Sequence, residues 1–293
     1  MPAVLLSRLE QQITAFSPTF DRPEIFVPNL IGLLELYSDR TYRAGSEVPS
    51  ASKMISYRVP MVVMRTLEME FRQLAIRQPD DALLVADMLW VGNRLELRQL
   101  GISLLGFVPL EFSNKVIDRV EKWAPGCSDQ FLLEVLLTRS SRQILQEKPA
   151  LWIEKSRKWL SSRESRLIIL GVKSLEPLLF TENFNDLPQI FDSIHSLVKD
   201  LRVDVFPEMM HLFEILLQKH PTETVAFLKQ VIFENPVSAT LRLIRKILPS
   251  LPTNVQVSIR ETIEKANPSP LSFPIQPSKT KPKSKTVKKW EKH

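Results

Sequence analysis

Cysteine occurs once in this chain, at Cys127, so no disulfide can form within it, which fits a reducing compartment. The four histidines, His195, His211, His220 and His293, show none of the close spacing that places two ligands on one helix face. No metal is therefore expected. Glycine is almost as scarce, with seven in 293 residues. None falls in G-x-G-x-x-G, in a phosphate-cradling loop or in G-x-S-x-G, which removes the nucleotide-binding and serine-hydrolase readings and leaves no cofactor to expect. So few glycines also argue against hairpins built on primed turns. Apolar runs stay well below the ~18 residues of a membrane span. The N-terminal MPAVLLSRLEQQ is too short an apolar stretch, and too soon broken by Glu10, to act as a signal peptide. The expectation is a cytoplasmic protein with no membrane partner.

The formal charge of +6 has a location. The segment PSKTKPKSKTVKKWEKH, residues 277–293, holds seven lysines and one glutamate. Taking these from the chain totals of 39 basic and 33 acidic residues leaves a body balanced at 32 of each. A neutral body that grips nucleic acid must sort its charges onto separate faces.

What the chain has in abundance is leucine, isoleucine and valine at three- and four-residue spacing. Prolines stand where helices should begin, at positions whose missing N–H is not needed: Pro149, Pro221, Pro236 and Pro252. Asn93, Ser128, Ser162 and Asn185 are candidate N-caps. These signals predict helix pairs at 79–90 with 93–106, 110–123 with 128–146, 149–160 with 162–180, 185–200 with 204–219 and 221–234 with 236–249, followed by 252–266. Pair starts are spaced 31, 39, 36 and 36 residues apart, close to the HEAT-type helical hairpin. The fold predicted is all-α, a HEAT-like α-solenoid (an α-α superhelix) of stacked antiparallel helix pairs over residues 1–266. Residues 1–56 are its less regular part, with helices at 2–16 and 28–39 and a polar loop at 40–56. A further helix is expected at 57–77. Residues 267–293, rich in lysine and proline, are expected to be disordered.

Three segments carry a likeness to a known family. YRVPMVVMR, residues 57–65, precedes a long helix. LWVGNRLELRQLGISLL, residues 89–105, sets a tryptophan, a short polar gap and a glutamate before an apolar helix. WIEKSRKWLSSRESRLIIL, residues 152–170, follows a tryptophan helix with a serine and an arginine-bearing helix. In this order and spacing the chain resembles the DNA alkylation repair family of HEAT-like DNA glycosylases, over roughly residues 57–248. The resemblance implies a concave basic face on duplex DNA and an aspartate, supported by tryptophans, that assists loss of a cationic alkylated base. Such a base leaves without an acid, so a single carboxylate that stabilises the oxocarbenium suffices.

Asp129, in WAPGCSDQFLLEVLL, matches that aspartate, with Trp123 six residues upstream. The helix before Pro221, MMHLFEILLQKHP, has no second tryptophan. Asp129 is thus a catalytic carboxylate, or an ordinary first-turn acid favoured by the helix dipole. Trp152 and Trp159 share a helix face and either stack on a nucleotide or fill the core; Trp90 and Trp123 are expected in the core. Arg139, Arg142, Arg163, Arg166, Arg242, Arg245 and Lys246, joined by Lys155 and Lys158, form either a DNA-binding stripe or a solvated face interleaved with Glu134, Glu147, Glu154 and Glu164. The lysine tail, with Trp290, either holds DNA or solubilises the chain. Two functions follow: a DNA-binding repair glycosylase, or a non-catalytic HEAT-repeat scaffold for a protein or nucleic-acid partner.

Overall fold

The computed structural model describes residues 5–39, 52–182, 184–234 and 238–266, and among these the chain is all-α, with helices packed in pairs and no strand. The expectations placed on residues 267–293, on Pro236 and on most of the polar loop lie outside the described residues. No single helix among those described is long and apolar enough to cross a membrane.

The helices are α1 (Leu6–Phe16), α2 (Pro23–Leu36), α3 (Met61–Arg77), α4 (Pro79–Val91), α5 (Leu95–Phe107), α6 (Ser113–Trp123), α7 (Gln130–Val135), α8 (Arg142–Glu147), α9 (Pro149–Leu160), α10 (Ser165–Leu175), α11 (Leu187–Lys199), α12 (Phe206–Lys219), α13 (Pro221–Glu234), α14 (Ser238–Ile247) and α15 (Thr253–Ala266). Pro79, Pro149 and Pro221 open α4, α9 and α13, where a missing N–H costs nothing. Two helices, α9 and α13, have the predicted bounds. Five of the expected helices differ appreciably. The one expected at 28–39 spans Pro23–Leu36, with Pro28 inside it. The one expected from 57 begins at Met61, because Ser52–Pro60 is drawn out as an extended strap. The 128–146 helix is interrupted by a π-helical turn, Leu136–Ser140. There the hydroxyls of Ser140 and Ser141 bond the carbonyls of Leu136, at 2.5 Å, and Leu137. The carbonyl of Arg139 meanwhile presses against α5 at Gly106, where any Cβ would overlap it. The 162–180 helix divides into α10 and a short 3-10 turn, Pro177–Phe180, and α14 closes at Ile247.

The chain divides into two compact units, Met1–Ser193 and Ile194–His293. In the first, α4 packs on α5 and α9 on α10, while α2 contacts α4 and α3 contacts α5. First helices thus neighbour first helices, and second helices second. The α9–α10 pair is antiparallel, since Trp152 meets Ser174 at one end and Leu160 meets Gly171 at the other. Its core is the pair of fully buried indoles Trp152 and Trp159, edge to face at 5.9 Å. Near the N-terminus Phe16, Phe20, Phe26 and Phe71 close a second aromatic cluster. In the second unit α13 packs on α12, α14 and α15 around Phe213 and Phe227, stacked at 6.3 Å.

The repeat is also written in polar links. Lys115 of α6 meets Asp80 of α4 at 2.6 Å, and Arg119 meets Asp87 at 2.8 Å. Lys155 of α9 pairs with Glu121 of α6, and Arg157 donates to Ser193 Oγ of α11 at 2.9 Å. Partners lie 32 to 36 residues apart, so each link joins a first helix to the first helix of the next pair.

Candidate functional site

Asp129 sits at the N-cap of α7, and its side chain, not that of Ser128, makes the cap: Oδ1 accepts from the Leu132 amide at 2.9 Å. The residue is 8% exposed. Its other oxygen accepts from Ser52 Oγ at 2.9 Å and from the Lys53 amide at 2.7 Å, both on the strap. Burial acts to raise the Asp129 pKa. The amides of Leu132 and Lys53 and the Ser52 hydroxyl outweigh it, so the net shift is downward and the group is held as carboxylate. Both oxygens are occupied by groups of the chain itself.

The strap is clipped a second time in the same way. Glu96, buried in the first turn of α5, accepts from Ser56 Oγ at 2.5 Å, from the Tyr57 amide at 2.9 Å and from the Arg58 amide at 2.8 Å. In both clips the serine hydroxyl donates to the carboxylate and accepts from the amide two residues on, Met54 or Arg58. In both, the residue after the serine donates its own amide to the same carboxylate. Four residues separate the serines, and the Leu95 amide donates to the Ile55 carbonyl between them at 2.9 Å. Arg58 has φ of 56°, a left-handed conformation that its two amide contacts hold in place. Tyr57 then lies under the Arg94 guanidinium at 5.0 Å.

Beside these clips the Trp90 and Trp123 rings stack at 4.7 Å and 6°. Arg98 covers Trp90 at 4.9 Å while donating to the Gly92 carbonyl at 3.0 Å. Burial pushes the Cys127 thiol up from its ordinary range, against a smaller opposing effect of its contact with the Asp129 carbonyl. It is therefore a protonated thiol and a poor nucleophile at neutral pH. Among the described residues no three His, Cys, Asp or Glu side chains are grouped so as to hold a metal ion.

The remaining residues singled out in the sequence are dispersed. Trp152 and Trp159 are core, and the Trp152 indole donates to the Ser174 carbonyl at 2.7 Å. The cations divide between two rows. Arg139 is on the π-helical turn and is paired with Glu68 of α3 at 3.1 Å. Arg142, on α8, and Arg166, on α10, are exposed, and Arg163 precedes α10 and is also exposed. Lys155 and Lys158 lie instead on α9, a first helix; Lys155 pairs with Glu121 and Lys158 with Glu154, one turn away at 2.8 Å. Arg242, Arg245 and Lys246 are exposed on α14, in the second unit. Asn93 is not a cap, since Arg94 takes that place at α5. Ser162 accepts from the Glu164 amide but precedes the cap position of α10.

The sequence offered Glu96 as the glutamate of the 89–105 segment, but its role as a strap anchor, and the two serines, were missed. Their signal was present as a four-residue serine spacing ahead of a glutamate in a first helical turn, but it is legible only once the strap is known to cross two helix N-termini. A groove of about 770 Å³ beside α9 is lined by Glu147, Ile153, Glu182, Phe184 and Asp186, among others. Compared with known proteins, the chain matches no family model, no curated sequence and no solved structure.

Proposed function

We propose that this protein is a non-catalytic helical-repeat scaffold that binds a macromolecular partner. The observation that carries the reading is the Asp129 carboxylate, whose two oxygens are occupied by a helix cap and a strap clip. A carboxylate that must stabilise charge on a sugar and present a water needs a lone pair facing the substrate. The four buried or half-buried tryptophans support the same reading, because their faces are engaged with one another and with Arg98. The test is release of an N3- or N7-alkylated purine from duplex DNA by the wild type and by Asp129→Asn. The scaffold reading expects release from neither; release by the wild type that the substitution abolishes, in a variant still folded at the assay temperature by circular dichroism, overturns it.

A second reading, DNA binding of the kind implied by the resemblance to the alkylation repair family, has one specific support. Arg142 and Arg166 project from second helices and have no acidic partner among the described residues. A salt titration of duplex affinity checks it: log K should fall with log salt with a slope of about −2 for two phosphate contacts, and Arg142→Ala with Arg166→Ala should flatten it.

A further inference from the structure

The exposed side of α3 combines large apolar side chains with arginines. Met61 is 66% exposed, Met69 63%, Ile76 52% and Val62 38%, and Arg65 and Arg72 are exposed among them. At about 100° per residue, Met61, Arg65, Met69, Arg72 and Ile76 fall within about 80° of the helix circumference, with Val62 at its edge. No acid lies inside that arc. Glu68 borders it, but its carboxylate is taken by Ser103 at 2.8 Å and by Arg139 at 3.1 Å. Neither Arg65 nor Arg72 has a partner among the described residues. By contrast α4 also exposes an apolar row, Leu84, Met88 and Val91, but the charge beside it is the acidic Asp81, and its Asp80 and Asp87 are already paired with α6. Of the apolar helix faces in the first unit, that of α3 is set apart by two arginines inside it that have no acidic partner among the described residues.

We infer that this face of α3 docks an α-helix of a partner protein, one that carries carboxylates seven residues apart beside a row of large apolar side chains. The inference rests on the scaffold reading and names the chemistry of its partner. Arg65 and Arg72 are two turns apart, about 10.5 Å along the axis, which matches carboxylates at i and i+7 of a helix lying alongside. Met61 to Ile76 spans about 22 Å, the length of a helix of about 15 residues. Methionine adapts to an unspecified apolar partner, and arginine suits a carboxylate bidentately. A second copy of the chain does not fit, because its α3 would bring arginine against arginine. A phosphate backbone does not fit either, since the methionines and Ile76 would be set against anionic oxygens. A lipid surface would also have to accept Asp80 and Asp81, in the first turn of α4 just past the end of α3.

The test uses the full chain and two synthetic amphipathic peptides of about 18 residues that share a leucine row. One carries glutamates seven residues apart on that side, and the other lysines in their place. Fluorescence anisotropy at low salt should show the wild type binding the glutamate peptide at least about tenfold more tightly. The double variant Arg65→Glu, Arg72→Glu should invert the preference, Arg65→Lys with Arg72→Lys should retain it, and Met69→Ser should weaken binding of the glutamate peptide without changing the sign. No preference in the wild type, or a preference that the charge reversal leaves untouched, overturns the inference. Binding to phosphatidylserine vesicles or to a short DNA duplex that the reversal abolishes, in a protein that ignores both peptides, overturns it as well and reassigns the face. Base release reads the scaffold proposal separately, so either can fail alone.

Discussion

Along α4, α6 and α9 the charges reach across to the next first helix: Asp80 to Lys115, Asp87 to Arg119, Glu121 to Lys155. On α3 two arginines stand among four large apolar side chains and reach nothing among the described residues. The same residue types serve different ends in the two regions. In the first-helix row they fix the stacking of one pair on the next. On α3 they make no ion pair among the described residues, as the proposed docking face requires. The strap clips are a third case, with carboxylates buried deeply enough that removing them leaves amides and hydroxyls stranded.

Substitutions can break this comparison, and the largest effect belongs to the clips. Asp129→Ala should destabilise the chain by about 3 kcal/mol, because two amides and a hydroxyl lose their acceptor, and Glu96→Ala should do about the same. Urea denaturation at constant m-value measures both. Gly106→Ala comes next, at about 2 kcal/mol, since the new methyl group must displace the π-helical turn at Arg139. Arg119→Ala, which cuts one rung between α4 and α6, should cost about 0.5–1 kcal/mol. Arg65→Ala with Arg72→Ala should change stability by less than about 0.5 kcal/mol. A loss on α3 as large as that at Arg119 would erase the distinction drawn between the two regions.

Acid sharpens it further. The Asp129 pKa is lowered in the folded chain, so its contribution is complete above the ordinary aspartate value and is lost as pH falls through the folded value. The stability gap between wild type and Asp129→Asn should therefore be constant near neutral pH and close only below about pH 4. In the second unit, Lys199 leads the groups that hold Glu234 at a pKa of about 2, with Gln230 and His195 also bonded to it. That cluster should likewise persist to low pH, and chemical-shift titration of Glu234 reads it directly.

Most of the architecture was legible from the chain. Leucine spacing and helix-opening prolines placed α9 and α13 within their bounds, because both signals are local. The π-helical turn was not legible, since it arises where Ser140 and Ser141 bond carbonyls of their own helix and where Gly106 lets another helix close in. The candidate site was legible only in part. Asp129 stood out, but its role was fixed by Ser52 and Lys53, about 76 residues earlier in the chain. The cation stripe shows why charge alone misleads: Arg139 is answered by Glu68 of α3 and Lys155 by Glu121 of α6, partners far away in the chain.

The strap has a consequence for the order in which the molecule assembles. Helix pairs form from neighbours in sequence, whereas the strap joins residues 38 to 77 positions apart and needs the N-termini of α5 and α7 already in place. It cannot be fastened before those two helix ends have formed. Slow deuterium uptake at the Lys53 and Tyr57 amides would then mark a chain whose earlier steps were completed in register, and a chain stacked one pair out of step would present no carboxylate to either serine.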